Sequence, residues 1–461
     1  MFAIYDDLPT LCEPLSRRAL LRAGSVATAG LPLALAREAG ASGPSRSPKA
    51  KACILIFLMG GPPQHSTWDP KPVAPPEVRA EFGPIATRVP GMQIVELLPN
   101  TARHADQLAL VRSVVTGDNA HSSSGYYMLT GVPHSPKQFE NANPGPPNDH
   151  PSTSAVVQHL RGGGAPLPSV RLPHRIFNTN GSIWPGQDSG WLGGAADPWL
   201  FNCEPASSGF EVDQFRLAAD VSLGRLSQRR TLLDQIESQL RDIDRRPATG
   251  VYTDQFQQAF DVLATPETRA ACELELESAE TRERYGRGQF GQSVLLARRL
   301  VEAGVGFVHV NWFRGPDEPI NNPCWDSHED ETNRLKSVLV PPLDRALSSL
   351  LTDLEDRGLL QETIVAVLSE FGRSPRMNSR AGRDHWGHVF SIALAGGGIQ
   401  GGQVLGRSDD QAGYPEEGLV APEDITATLF HCLGFDPHTE IQDPTGRPMP
   451  ISRGNVLTAL L

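Results

Sequence analysis

Seven consecutive apolar residues, Cys53-Ile-Leu-Ile-Phe-Leu-Met59, stop abruptly at Gly60-Gly-Pro-Pro63. No polar residue alternates within the run, so it reads as a strand buried on both faces, central and parallel, with helices above and below. Further strands read at Leu108–Val115, Val305–Val310, Thr363–Leu368 and Ser391–Ala395. Helical patterns lie between and after them. They are Ala155–Arg161, Gly291–Ala303 closed by Gly304, Ser337–Arg357, and Asp424–Leu433 with Pro422 at its start and Gly434 after its end. Strand and helix alternate without internal repeats, which is the pattern of an α/β sheet covered on both faces. Residues 136–150 read as loop and Ser169–Asn180 as irregular or extended. From about 214 to 299 Arg, Gln, Glu, Leu and Ala dominate, which reads as a helical layer with solvated charged faces.

The N-terminus points to export. Ser16-Arg17-Arg18-Ala-Leu-Leu21 precedes an Ala/Gly-rich apolar run, Ala23 to Leu35, and small residues suited to cleavage follow by Ala41. This is a Tat-type leader over residues 1–41, followed by a linker at 42–50 and one α/β domain at 51–461. It places the protein in the periplasm or outside the cell, with the Tat translocase as a partner during export. The run contains Gly24, Gly30 and Pro32 and is too short to span a bilayer, and no other stretch is long enough, so no membrane span is expected in the mature chain. The net charge is −12, which argues against a nucleic-acid partner. Beyond the leader, Cys53, Cys203, Cys272, Cys324 and Cys432 are widely spaced and form no Cys-x-x-Cys pair, so neither a zinc knuckle nor a disulfide framework is indicated.

Four segments carry the chemistry, and three of them directly follow expected strands. They are Gly60 to Lys71, with His65 and Asp69; Asp118 to Gly131, with His121 and Ser122; Asp326-Ser-His328; and Ser369-Glu370-Phe-Gly-Arg373 continuing to Gly382-Arg383-Asp384-His385-Trp-Gly-His388. Ligands in open α/β sheets bind where strands end. Asp326 and His328 are two apart, so an extended loop can aim both at one ion. His385 and His388 are three apart and share a face if a helical turn forms there. Carboxylates mixed with imidazoles suit a borderline divalent ion, Zn, Mn or Fe, better than Ca or Mg alone. His65, His104, His134, His150 and His174 read as surface or loop histidines. Gly396-Gly-Gly398 with Gly401-Gly402 lacks the context of a phosphate loop and reads as a tight turn.

These segments together with Arg282-Glu-Arg-Tyr-Gly-Arg-Gly-Gln-Phe-Gly-Gln292 and Ala297-Arg-Arg-Leu-Val-Glu-Ala-Gly-Val-Gly-Phe-Val308 resemble the DUF1501 family across nearly the whole chain. That family consists of secreted bacterial proteins placed with the alkaline phosphatase/sulfatase-like superfamily. The resemblance implies a three-layer α/β/α sandwich around a mostly parallel, alkaline phosphatase-like sheet, with a helical insertion near 214–299. In the superfamily a metal-binding Asp follows the first strand, and a nucleophile starts the helix ahead of a Leu-x-Thr-Gly motif. Met128-Leu-Thr-Gly131 resembles that motif, which puts His121 at the nucleophile's place and Ser122 one position on. Gly60-Gly61 stands where the first-strand Asp belongs, and Asp69 lies further along as a possible ligand. Asp326 and His328 match an early metal pair. Glu370 falls where a second-site Asp would be, with Phe371 in place of its His, and His388 or His385 matches the last His. The Cys-x-Pro-x-Arg signature of formylglycine sulfatases is absent.

The sequence therefore carries two readings. One is an exported metal-dependent hydrolase of phosphate or sulfate esters. Asp326, His328, Glu370, Asp384, His385 and His388 hold a divalent metal (Zn or Mn, with Ca as an alternative) and no organic cofactor is used. Ser122 is the nucleophile beside His121, and Arg373 or Arg383 clamps the anion, a small anionic ester or a sulfated or phosphorylated glycan. The other is a secreted binding or scaffold protein that kept the fold and lost the chemistry.

Overall fold

The computed structural model describes residues 50–461 apart from 80, 163–166, most of 211–265, and 313–322. The expected leader (1–41), nearly all of the linker (42–50) and most of the expected helical insertion therefore lie outside the described residues.

The architecture grows from the apolar runs. Eight strands form the main sheet: β1 (Ala52–Phe57), β2 (Leu108–Val114), β3 (Ser169–Leu172), β4 (Trp199–Leu200), β5 (Phe307–Asn311), β6 (Thr363–Leu368), β7 (Phe390–Ala395) and β8 (Gln403–Leu405). Their order is β8-β2-β7-β6-β1-β5-β3-β4. All pairings are parallel except those of β7, which runs antiparallel to both β2 and β6. β1 is central, and all six of its residues are buried. Successive strand residues point to opposite faces, so complete burial requires cover on both sides. Seven helices matter here: α1 (His121–Thr130), α2 (Thr153–Arg161), α3 (Pro266–Cys272), α4 (Ala279–Tyr285), α5 (Gln289–Glu302), α6 (Val340–Asp356) and α7 (Pro422–Cys432). α5 packs on β1 and β5 and against α6, while Cys53 of β1 lies beside Cys432 of α7 and Arg161 of α2. This is the expected three-layer α/β arrangement around a mostly parallel sheet.

The expected strands and helices appear within a few residues of their predicted limits. Ser169–Asn180 resolves into β3 followed by irregular chain, and β4 and β8 were not anticipated. The five cysteines of the described region are buried and form no disulfide. Among the described residues no helix is long and apolar enough to cross a membrane.

Register fixes the site. Phe57 pairs with both Asn311 and Leu368, so β1, β5 and β6 end side by side. The segments that follow them therefore emerge together at one edge of the sheet, the edge where open α/β sheets bind ligands. β2 runs parallel to β6, since both oppose β7, and it delivers the start of α1 to the same edge.

Candidate metal centre

Gly60 and Gly61 make the first approach possible. Both take positive φ, +112° and +82°. A Cβ on Gly60 would sit 2.3 Å from the Asp326 nitrogen, and one on Gly61 would sit 2.6 Å from the Phe371 ring. Only glycine lets the end of β1 lie this close to the two later segments. The Trp325 N–H donates to the Met59 carbonyl at 3.0 Å, and the Gly60 N–H donates to Glu370 Oε1 at 2.7 Å. The glycine pair, standing where a metal carboxylate was looked for, thus brings Asp326 and Glu370 into position.

Asp326 is the hub. Its Oδ1 lies 3.0 Å from His385 Nε2 and 3.0 Å from His328 Nε2, and it accepts from Arg373 Nη2. Its Oδ2 lies 3.3 Å from Nε2 of His121, the first residue of α1. Burial alone would raise the Asp326 pKa, but His121 and Arg373 hold it well below the usual carboxylate range. His121 Nδ1 meets Glu370 Oε1 at 2.8 Å. Burial opposes a charged imidazole, yet Asp326 and Glu370 outweigh it and push the His121 pKa up to about 10. Glu370 is wholly buried; besides Gly60 and His121 it accepts the Ser369 hydroxyl on Oε2 at 2.9 Å.

His385 decides what this cluster is. Its Nδ1 is 2.7 Å from the Asn119 carbonyl, which can only accept, so Nδ1 carries the hydrogen. Burial and the His121 charge push its pKa down to about 3, so the ring is neutral and Nε2 holds a lone pair. That lone pair faces the Asp326 oxygen at 3.0 Å and His328 Nε2 at 2.9 Å. His328 Nε2 can carry at most one hydrogen, which satisfies only one of these contacts. Lone pairs facing a carboxylate this closely repel one another unless a cation lies between them. Ligands at ~2.1 Å from a tetrahedral zinc stand about 3.4 Å apart, a few tenths of an ångström wider than the spacing here. A histidine that gives its other N–H to a carbonyl is also the usual setting of a metal-bound imidazole. The donor atoms of Asp326, His328 and His385 all lie within 4.8 Å of one another. They fit a divalent ion of the Zn or Mn kind. His121, Glu140 and His385 form a second group within the same limit, but His385 Nδ1 is committed to Asn119 on that side.

A small cleft opens beside the cluster, lined by Met59, Gly60, His121, Glu140, Phe177, Asn178, Thr179, Trp184, Pro323 and Asp326. His121, Asp326 and Glu140 supply its charged lining, and Met59, Phe177, Trp184 and Pro323 its apolar part.

Residues 50–461 match the family described as "Protein of unknown function (DUF1501)". The chain belongs to the DUF1501 family. No curated protein sequence matches it. Among solved structures, the phosphonate monoester hydrolase of Agrobacterium radiobacter is 13% identical, with a TM-score of 0.42 over 89% of this chain and 77% of that one. The phosphonate monoester hydrolase of Silicibacter pomeroyi is 13% identical, with a TM-score of 0.41 over 89% and 76%. A Pseudoalteromonas sulfatase is 13% identical, with a TM-score of 0.36 over 90% and 72%.

Several residues expected at the centre of this DUF1501 protein stand elsewhere. His388 turns away to rings of Trp386 and Tyr414, at centroid distances of 4.7 and 5.3 Å. The helical turn expected to unite it with His385 does not form. His385–Trp386 is a short strand paired with Gly372–Arg373, and in extended chain residues three apart point to opposite sides. Asp69 is taken by Ser408, Lys71 and Arg112. Ser122 Oγ donates to the Phe139 carbonyl at 3.0 Å and accepts the Ala142 N–H at 2.9 Å, so it anchors a loop instead of facing Asp326. Glu370 orients His121, its oxygens being already engaged. Asp384 is mostly exposed, with Oδ1 3.5 Å from His328 Nδ1, an outer partner of that ring. Arg373 spends its nitrogens on the carbonyls of Gly60, Gly61, Trp325 and Arg383 and on Asp326. Arg383 pairs with Glu331 at 2.9 Å and donates to the carbonyls of Ser374, Pro375 and Val78. Neither guanidinium is placed as an anion clamp. His65 and His134, read as surface or loop residues, are buried, and burial beside Arg383 and Lys71 keeps His65 neutral.

Asn119 and Glu140 were missed. Asn119 contributes through its backbone carbonyl, which no side-chain motif reveals. Glu140 lies in the Pro/Asn/Gly-rich loop, and its Oε1 accepts the His121 N–H at 2.8 Å.

Proposed function

We propose that this protein is an exported metal-dependent hydrolase of phosphate or sulfate esters. The observation that carries the reading is the His385 lone pair, pointed at Asp326 and His328 at cation-bridging distance beside an open cleft. A divalent ion bound there supplies positive charge against an ester oxygen and lowers the pKa of a water. Asp326, His328 and His385 hold the ion. The Asn119 carbonyl fixes the His385 tautomer, and Asp384 stands behind His328. Glu370 holds the His121 ring through Nδ1, leaving Nε2 beside Asp326 to carry a proton to or from the reacting oxygen. Met59 and Trp184 exclude water from one side of the cleft. Residues 1–41 are a twin-arginine leader in this reading, supported by Ser16-Arg17-Arg18 and the weakly apolar run that follows.

Ser122 favours the other reading, a binding protein without turnover, because its hydroxyl is consumed by the Phe139–Ala142 loop. Elemental analysis of the purified mature protein, followed by a panel of chromogenic phosphate and sulfate esters, separates the two. The hydrolase reading expects about one divalent ion per chain, its loss in Asp326→Ala, and turnover that disappears with it. Bound metal without turnover across the panel supports the binding protein. Absence of metal and of turnover together sinks the hydrolase.

A further inference from the structure

The candidate ligands arrive on two separate stretches of chain. Asp326 and His328 lie after β5, and His385 lies beyond β6 on the short strand paired with Gly372–Arg373. Their donor atoms meet only if the two stretches keep one register. Main-chain bonds set it coarsely. The Arg383 N–H donates to the Ser327 carbonyl at 3.0 Å, and the Glu331 N–H donates to the Ala381 carbonyl at 2.9 Å. Gly382 permits the approach, since a Cβ there would lie 2.0 Å from the His328 carbonyl.

Side chains then close the same contact into a ring. Arg383 Nε donates to Glu331 Oε1 at 2.9 Å, and Glu331 Oε2 accepts the Ser327 hydroxyl at 3.0 Å. Ser327 therefore meets Arg383 twice, directly through its carbonyl and, by way of Glu331, through its hydroxyl. Ser327 stands between Asp326 and His328 in the chain, and Arg383 stands two residues before His385. All three members of the ring are buried. The Arg383 Nη atoms extend it to the carbonyls of Ser374, Pro375 and Val78. The Arg383 carbonyl accepts Nη1 of Arg373, whose Nη2 donates to Asp326 Oδ1. Both Glu331 oxygens are engaged, so Glu331 is not itself a ligand. A buried pair of this kind adds little stability over apolar packing, but a fully satisfied polar network specifies one arrangement.

We propose that Ser327, Glu331 and Arg383 are positioning residues of the metal centre, and that their hydrogen-bonded ring sets the spacing of Asp326 and His328 from His385. This rests on the metal-dependent reading above and says how the chain holds its ligands at cation-bridging distance.

The test measures zinc affinity of the mature protein by chelator competition, ligand geometry by the visible spectrum of the cobalt-substituted protein, and stability by urea unfolding. Ser327→Ala removes one bond of the ring and no charge. It should weaken zinc binding about 10-fold and alter the cobalt spectrum. Glu331→Ala opens the ring on both sides and should weaken binding about 100-fold. Glu331→Gln keeps the shape, because its amide oxygen accepts from Arg383 and its NH₂ group donates to the Ser327 hydroxyl. It should lose stability, since Arg383 no longer faces a carboxylate. Its zinc affinity should nevertheless stay within roughly threefold of wild type, with the wild-type cobalt spectrum. Arg298→Met, destabilised away from the centre, should also keep both. Wild-type affinity and spectrum in Ser327→Ala and Glu331→Ala together overturn the inference and leave the metal centre standing. So does affinity that merely follows stability across all four variants, or zinc binding as weak in Glu331→Gln as in Glu331→Ala. If Glu331→Ala fails to fold, Ser327→Ala decides alone. A wild-type protein that binds neither zinc nor cobalt removes the metal centre, and the inference with it.

Discussion

Two clusters of buried charge in this fold are built on opposite plans. Around Arg298 of α5, both terminal guanidinium nitrogens meet carboxylates, and Nε, which makes no hydrogen bond, faces another. Arg298 Nη2 reaches Glu277 at 2.7 Å, Nη1 reaches Glu302 at 2.6 Å, and Nε lies 3.4 Å from Asp353. Arg299 joins on Glu277, Arg284 on Asp353, and the Tyr285 hydroxyl donates to Asp353 at 3.1 Å. Around Asp326 a carboxylate and two imidazole nitrogens crowd within 3.0 Å with too few hydrogens between them. Both clusters are buried and both are charged. A ligand centre is distinguished by lone pairs that face one another, since a closed network needs nothing further while an open one needs a cation.

Removing the hub should separate the two most strongly. Asp326→Ala should lower divalent-ion affinity and any ester turnover on the order of 10³-fold, because it takes away the shared carboxylate. Competition titration with a chromophoric chelator measures the affinity. Retention of metal within a few-fold of wild type would mean that the lone pairs at His385 have another explanation.

Arg298→Met is the mirror experiment. It should cost about 3 kcal/mol of stability, since Glu277, Glu302 and Asp353 lose a buried partner, while Arg299 and Arg284 still cover part of the charge. Urea unfolding measures the loss. Metal content should not change, and a variant that loses its metal would break the separation between the two clusters.

The contrast also shows what the sequence could convey. Asp326-Ser-His328 and His385 were legible because strand ends deliver ligands and because carboxylate and imidazole in series suggest a metal. His388 was misplaced because a spacing of three implies a shared face only in a helix, and the chain there is extended by pairing with Gly372–Arg373. Arg373 and Arg383 were taken as anion clamps on residue type alone. Their carbonyl partners are main-chain atoms from distant segments, which no local pattern encodes. Arg298 was read within a solvated charged layer because its neighbours are Ala297, Arg299 and Leu300. Its burial depends on Glu277 and Asp353, which are remote in sequence. The strands were readable for the opposite reason. An unbroken apolar run such as Cys53–Met59 carries its own burial requirement, whatever its neighbours turn out to be.

Glu370→Gln sharpens the comparison within the metal side. Glu370 carries no open lone pair toward the ion, so its loss should act through His121. The amide can still accept the Gly60 N–H, but it no longer holds the imidazole with a charge. A fall in turnover of about 10- to 100-fold is expected, with divalent-ion affinity changed less than in Asp326→Ala. Equal loss of metal in the two variants would move Glu370 from an orienting role to that of a ligand.

The smallest effect tests whether the Arg298 network is as closed as its geometry indicates. Burial raises the Glu277 pKa, but hydrogen bonds and charge from Arg298 and Arg299 outweigh it and hold the carboxyl below its ordinary value. A depressed carboxyl contributes stability that is fully present above its unfolded pKa of about 4.3 and is lost as pH falls through the lower folded value. The wild-type advantage over Arg298→Met should therefore be constant near neutrality and shrink once the pH drops below about 4.5. Thermal unfolding of both proteins from pH 7 down to pH 3 follows it. A gap that widens with acid would mean that Glu277 is not held ionised by its arginines, and the network would then have to be stabilised by packing of the Arg298 stem instead of by its ion pairs.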